Sequence, residues 1–599
     1  MNRAAALKTH RLPETAFIAL ATGRKDSDAI RLLREAQQSK HTMLLHAIAE
    51  AAGDADPANP AIAAFRAGYE LLTRVQVTKP AAWTWLLSLP HLGGWANDGL
   101  IRLDQGMSPD FAYLACAAAS GAVRGSVPFE LDVPIHDGHV LLPGLGRIAV
   151  SRETSASGEP AWIRLSCDGS QLAAGDRVVL PRATLMPDYG LAKPGPPWHG
   201  TPAARVIADG LSWDVLLATD DSYLDRYKLP MAVGLDADQL ERWRKRVRSA
   251  FEVLVSQHRW AADPIADGVA VIVPLAPNSE TDLITATSPA AFGAIATSWP
   301  PDPVTLAETF VHEFQHIKLC GLLDLVSLTE SGEESVYAPW RHDPRPASGL
   351  LQGVYAHLGI VRFWAAQRHA ESRPDDILRA EVQFARWRPT ITTAVDTLRR
   401  TGCLTPEGER FTELMRAEGQ RFADEPVPDE ALKIAREVSL DHWLNWQIQH
   451  MAADAAATAS LADAYRAGEP CPGYDPSGIR IRKDVLDIGP NARSRLLNMK
   501  YLEPARYREL IGDGTFPLTK PDRLLLNQAT EAAARGYRDL IGESADPQPE
   551  AWVGLALALY QLPASPLADA FASRLPVLFA VHGCLGAGYD PLDLAGWFG

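Results

Sequence analysis

The stretch from Asp302 to Cys320, DPVTLAETFVHEFQHIKLC, leaves the backbone little choice. Asp is a strong N-cap, and Pro at the first helical position loses nothing by lacking an N–H. Neither Gly nor Pro recurs until Gly321. The spacing predicts a helix of about four turns or more. His312 and His316 then fall one turn apart on one face, where both imidazoles can reach a single metal ion. Glu313 is turned about 100° away from His312. The pattern is H-E-x-x-H, which in zinc peptidases joins two ligands to a Glu that polarises metal-bound water. The plain structural alternative is a pair of core histidines.

A metal ion needs at least a third ligand. The longer H-E-x-x-H-x-x-G-x-x-H pattern fails, because Leu319 and Leu322 stand at its Gly and third-His positions. Cys320 continues the histidine stripe, but a straight helix cannot bring three successive turns to one ion, so it reads as a core thiol. A second helix, SGLLQGVYAHLGIVRFWAAQRHA, is predicted to open on a Ser348 cap. It aligns Leu350, Val354, His357, Val361 and Trp364, and His357 is the single polar member of that stripe. Alone, such a residue is usually a satisfied core histidine; beside an HExxH helix it is the best third ligand. Glu330, Glu333, Glu334 and His342 are weaker choices. A Glu there would complete the two-histidine, one-carboxylate triad favoured by non-haem iron.

The two helices are joined through YAPWRHDPRPASG, stiffened by Pro339, Pro344 and Pro346. Arg341 and Arg345 are held in that frame. A rigid guanidinium near a metal suits a carboxylate ligand; an Arg pair that ties the loop down is the equally good alternative. Ahead of the HExxH helix, GVAVIVPLAP and DLITATSPAAFGAIATSWP read as strands. The second is expected to line a cleft, with Thr285, Thr287 and Ser288 offered to an extended peptide by edge pairing, or else to form a covered core hairpin.

The expected fold is α+β and mainly helical. An HExxH helix packs on a second, ligand-bearing helix, with a β-rich insert and a helical, repeat-like tail. Four regions are expected: helical 1–130, β-rich 131–230 with a turn at Asp137-Gly138, catalytic 231–466, and helical 479–599 after the Pro/Gly-rich break AGEPCPGYDPSG. Only one helix pair in the tail resembles a tetratricopeptide unit, and an ordinary helical hairpin explains it as well. In 599 residues, 47% are hydrophobic and 22% charged, as in a globular protein of several domains. The formal charge of −15 argues against a general nucleic-acid binder. Six cysteines without a CxxC pair read as reduced, mostly buried thiols of a cytoplasmic protein. Neither a signal peptide nor a membrane-spanning run is expected.

VHEFQHIKLCGLLDLV and YAPWRHDPRPASGLLQGVYAHLGIVRFW resemble the HExxH-motif peptide-modification proteins found near ribosomally made peptide precursors. RLPETAFIALATGRKD, RLLREAQQSKH and TSPAAFGAIATSWPPDPVTLAETFVHEFQH extend the likeness over most of residues 10–460. The resemblance implies an Fe(II)- and 2-oxoglutarate-dependent dioxygenase that hydroxylates the β-carbon of a side chain in a precursor peptide; high Ala and Arg with little Lys suggests a GC-rich bacterial genome. The resemblance makes His312 and His316 the iron ligands. His357 as the third ligand, and Arg341 and Arg345 as partners of the 2-oxoglutarate carboxylates, follow from the residues rather than from a family motif. Glu313, the base of a zinc peptidase, would here orient a ligand or water. Two other readings stay open: a zinc-dependent leader peptidase, and a peptide-binding scaffold without catalysis.

Overall fold

The computed structural model describes residues 10–24, 27–53, 55–150, 161–176, 178–190, 197–219, 221–224, 229–276, 283–332, 334–473, 479–482, 490–512, 516–544, 548–562 and 567–598. It is α+β and mainly helical, as expected. The chain forms two compact units, Met1–Ser327 and Leu328–Gly599. The boundary falls inside the expected 231–466 region, so the HExxH helix belongs to the first unit and the His357 helix to the second. None of the described helices is long and apolar enough to cross a membrane.

The first unit opens with helices Glu14–Thr22, Ser27–Gly53, Pro60–Thr78, Pro80–Leu87, Pro90–Asp104 and Tyr113–Gly125. Three of them begin on Pro, whose fixed φ and missing N–H suit the first turn. The small-residue helix Tyr113–Gly125 is buried on nearly every side. Its backbone passes so near Gly68 that a Cβ there would lie 2.9 Å from Ala115 Cα. The β-rich part begins at Phe129, where Asp137 and Gly138 take φ of 49° and 75° in the expected turn. Its strands share one core with the preceding helices, running from Leu45 to Trp198. Residues 1–130 and 131–230 are thus not separately cored.

A five-stranded sheet follows, in the order Thr285–Ala286, Ala294–Thr297, Val271–Pro274, Leu211–Leu217, Ala203–Ala208. Val271–Pro274 runs parallel to both neighbours, and every residue of it is buried, as parallel strands require. Thr285–Ala286 pairs antiparallel and ends the sheet. The helix Ala237–Gln257 starts in a capping box, Asp236 with Gln239, and packs on the HExxH helix.

The second unit is built on helices Ala347–Gln367, Pro374–Arg400, Pro406–Gln420 and Asp429–His450. Eight further helices complete the described part of its tail. Ser348 is not the cap of its helix. Pro346 holds that place, pinned in extended backbone at φ −65° and ψ 161°, so helical geometry begins at Ala347. In the tail, Thr530–Glu543 and Pro549–Gln561 form the expected pair, and Gly554 makes room for the Tyr537 ring. Part of the Pro/Gly-rich break, 474–478, lies outside the described residues. The cysteines depart from expectation: all are free, but only Cys116 and Cys167 are buried, and Cys584 is exposed.

Candidate metal centre

The HExxH helix spans Pro303–Leu323. Asp302 caps it, accepting from Thr305 N and Thr305 Oγ1, each at 2.8 Å. Leu306, Phe310, Phe314 and Ile317 bury one side, with Phe310 edge-on to Trp213 at 5.5 Å. Gly321 lets Phe292 approach; a Cβ there would meet its ring at 2.9 Å. The side left partly open carries Glu308, His312, His316 and Cys320, at four-residue steps. Cys320 is therefore half-buried on the histidine stripe, not a core thiol. The reason is periodicity: sealing this stripe would need another layer over it.

On that stripe the two imidazoles stand edge to face, with centroids 4.9 Å apart and Nε2 atoms at 3.2 Å. Two nitrogens bound at about 2.1 Å to one ion, at tetrahedral or octahedral angles, are separated by about 3.0–3.4 Å. The pair thus fits two ligand positions of a single ion and suits zinc and iron geometry alike. Glu313 is turned the other way and is 2% exposed. Its Oε1 accepts from Thr285 Oγ1 at 2.6 Å, and the Thr287 hydroxyl is a second donor. Burial raises its pKa, against the opposing pull of His316 and both hydroxyls. Two of the threonines expected to meet a peptide thus serve the motif's own carboxylate. Thr285 lies on the terminal strand of the sheet, as the edge-pairing idea requires.

The remaining candidates lie in the second unit. Gly353 lets the Trp340 indole lie against the helix: a Cβ would meet Trp340 Nε1 at 2.1 Å. Trp340 then stacks on His357 at 4.3 Å and 19°, and Trp387 closes the other side at 4.7 Å. His357 Nδ1 is 2.9 Å from Gly353 O. A proton donated there leaves Nε2 as the basic nitrogen, the usual arrangement of a metal-binding imidazole. Arg341 Nε and Arg345 Nη1 donate to opposite oxygens of Asp343, at 2.7 and 3.0 Å. That pair holds Asp343 below its usual range in spite of partial burial. Glu330 and Glu334 are exposed, while half-buried His342 accepts from His450 Nε2 through its carbonyl at 2.6 Å. Glu333 lies outside the described residues.

In sum, the structure brings His312, His316 and Glu313 together in the first unit; His357 and the arginines stand in the second. Among the described residues no group of three or more His, Cys, Asp and Glu is gathered for a metal. Sequence reasoning passed over Tyr337, Arg386 and His442. Tyr337 Oη is 2.8 Å from His442 Nδ1, and burial drives the His442 pKa down to about 3, helped by Arg386 and His342. The signal was available in part: Arg386 follows buried Val382 by one helical turn. The chain matches no model of a known protein family and none of the curated proteins.

Proposed function

We propose that the chain is an Fe(II)- and 2-oxoglutarate-dependent hydroxylase acting on a β-carbon of a ribosomally made peptide. The resemblance of its motif regions to HExxH peptide-modification proteins favours this reading. The observation that supports its metal site is the 3.2 Å separation of His312 and His316 Nε2 on a capped helix, a spacing that zinc and iron share. His312 and His316 would hold the metal. Bound iron with 2-oxoglutarate and O₂ would supply the oxidising power to place one oxygen in a C–H bond, releasing succinate and CO₂. Glu313, held by Thr285 and Thr287, would fix the helix against the terminal strand and orient the neighbouring imidazoles. Arg341 and Arg345 would have to exchange Asp343 for the co-substrate's carboxylate.

One observation favours a second reading, a zinc peptidase. The antiparallel terminal strand Thr285–Ala286 touches the HExxH helix and could pair with an extended peptide. Co-expression with a short peptide encoded beside the gene, read by intact mass, separates the two. A gain of one oxygen that depends on 2-oxoglutarate with purified protein supports the hydroxylase. Fragments without added oxygen assign the chain to the peptidases.

A further inference from the structure

Arg386 sits on the helix Pro374–Arg400 with its guanidinium crowded by protein. Desolvation there lowers its pKa to about 10, against the pull of Tyr337 and Asp441. The residue nevertheless keeps part of its surface open. Its five N–H donors meet one acceptor among the described residues, Asn498 Oδ1 at 3.1 Å. No described ion pair includes it, although its charge lies over the Trp387 ring at 4.3 Å. Asp441, the carboxylate whose charge reaches it, is committed to Arg493 at 2.7 Å, both 2% exposed.

A desolvated guanidinium without a paired anion is costly, because one hydrogen bond and a ring contact offset only part of its lost hydration. Next to it stand Tyr337 and His442, joined at 2.8 Å. His442 Nε2 is buried without a hydrogen-bond partner among the described residues. With the phenol donating to Nδ1, a neutral His442 carries its proton at Nε2, a second donor of the same wall. Tyr337 packs on Trp443 at 4.6 Å, and both are half-buried, as is Asn498.

We propose that the second unit contains a binding site for a small organic carboxylate, with Arg386 as its cation, Tyr337 and His442 as its polar wall, and Trp387 and Trp443 around the carbon skeleton. The planar fork of a guanidinium matches a carboxylate edge. A single cation balances one negative charge, whereas a phosphate dianion would leave an uncompensated charge in a poorly solvated place. The site needs no metal and does not rest on the hydroxylase reading.

The test titrates the full chain, stripped of metal with a chelator, with two monocarboxylates, pyruvate and benzoate, by calorimetry. Saturable binding of at least one is expected. Arg386→Gln should weaken it by about ten-fold or more, as expected for loss of one partner of a desolvated charge pair. Arg399→Gln, which alters a surface ion pair with Glu409 and Glu413, should not. Tyr337→Phe keeps the ring on Trp443 and guards against misfolding of the arginine variant; it should also bind more weakly. Failure of both acids to bind at millimolar concentration overturns the proposal. So does unchanged affinity in both the Arg386 and Tyr337 variants. Peptide hydroxylation is not read in this experiment, so its outcome is separate from that of the proposed reaction.

Discussion

His312 and His316 hold their Nε2 atoms 3.2 Å apart, on the one stripe of their helix that is not sealed by packing. That separation matches the bite of one metal ion. His312→Ala and His316→Ala should each lower affinity for iron or zinc by more than the roughly 10–100-fold typical of losing an outer-shell partner. Metal analysis after equilibration gives the readout. Helical circular dichroism should stay intact, because both rings lie on the partly open face.

Thr285 and Glu313 form the contact that ties the terminal strand to the motif helix. Thr285→Val removes a hydroxyl from a carboxylate that is 2% exposed, which should cost about 1–3 kcal/mol of stability. In a Glu313→Gln background the same change should cost less, since a neutral amide loses less when a donor is withdrawn. Urea unfolding of the four proteins gives the coupling; a coupling of zero would show that the two side chains act independently.

His357 is held by packing on two indoles. His357→Phe keeps an aromatic ring beside Trp340 and Trp387. Stability should therefore change by less than about 1.5 kcal/mol, read from urea midpoints. A larger loss would show that the Nδ1 contact with Gly353 O outweighs the ring packing.

His442 gives the second unit an acid limit. Its folded pKa of about 3 lies below the ordinary histidine value of about 6.5. Between those values the unfolded chain takes up a proton that the folded chain refuses. The contribution is fully present above pH 6.5 and is lost as pH falls towards 3. It should fall by about 1.4 kcal/mol per pH unit. Denaturant midpoints between pH 7 and 4.5 should drop less steeply in His442→Phe than in the natural chain.

Local rules in the sequence determined the elements. The Asp302-Pro303 start, the unbroken run to Gly321, the Asp236 cap, the Asp137-Gly138 turn and the apolar stripe around His357 all depend on neighbours within a few residues. The His312–His316 pair was readable for the same reason, since a helix fixes what lies one turn apart. Tertiary structure decided what those residues meet. That Glu313 finds Thr285, that Arg341 and Arg345 close on Asp343, that Trp340 lies over Gly353 and that Arg386 is left without a carboxylate depend on side chains brought together by packing. Periodicity records which face is buried, but it holds no information about which distant side chain will cover it.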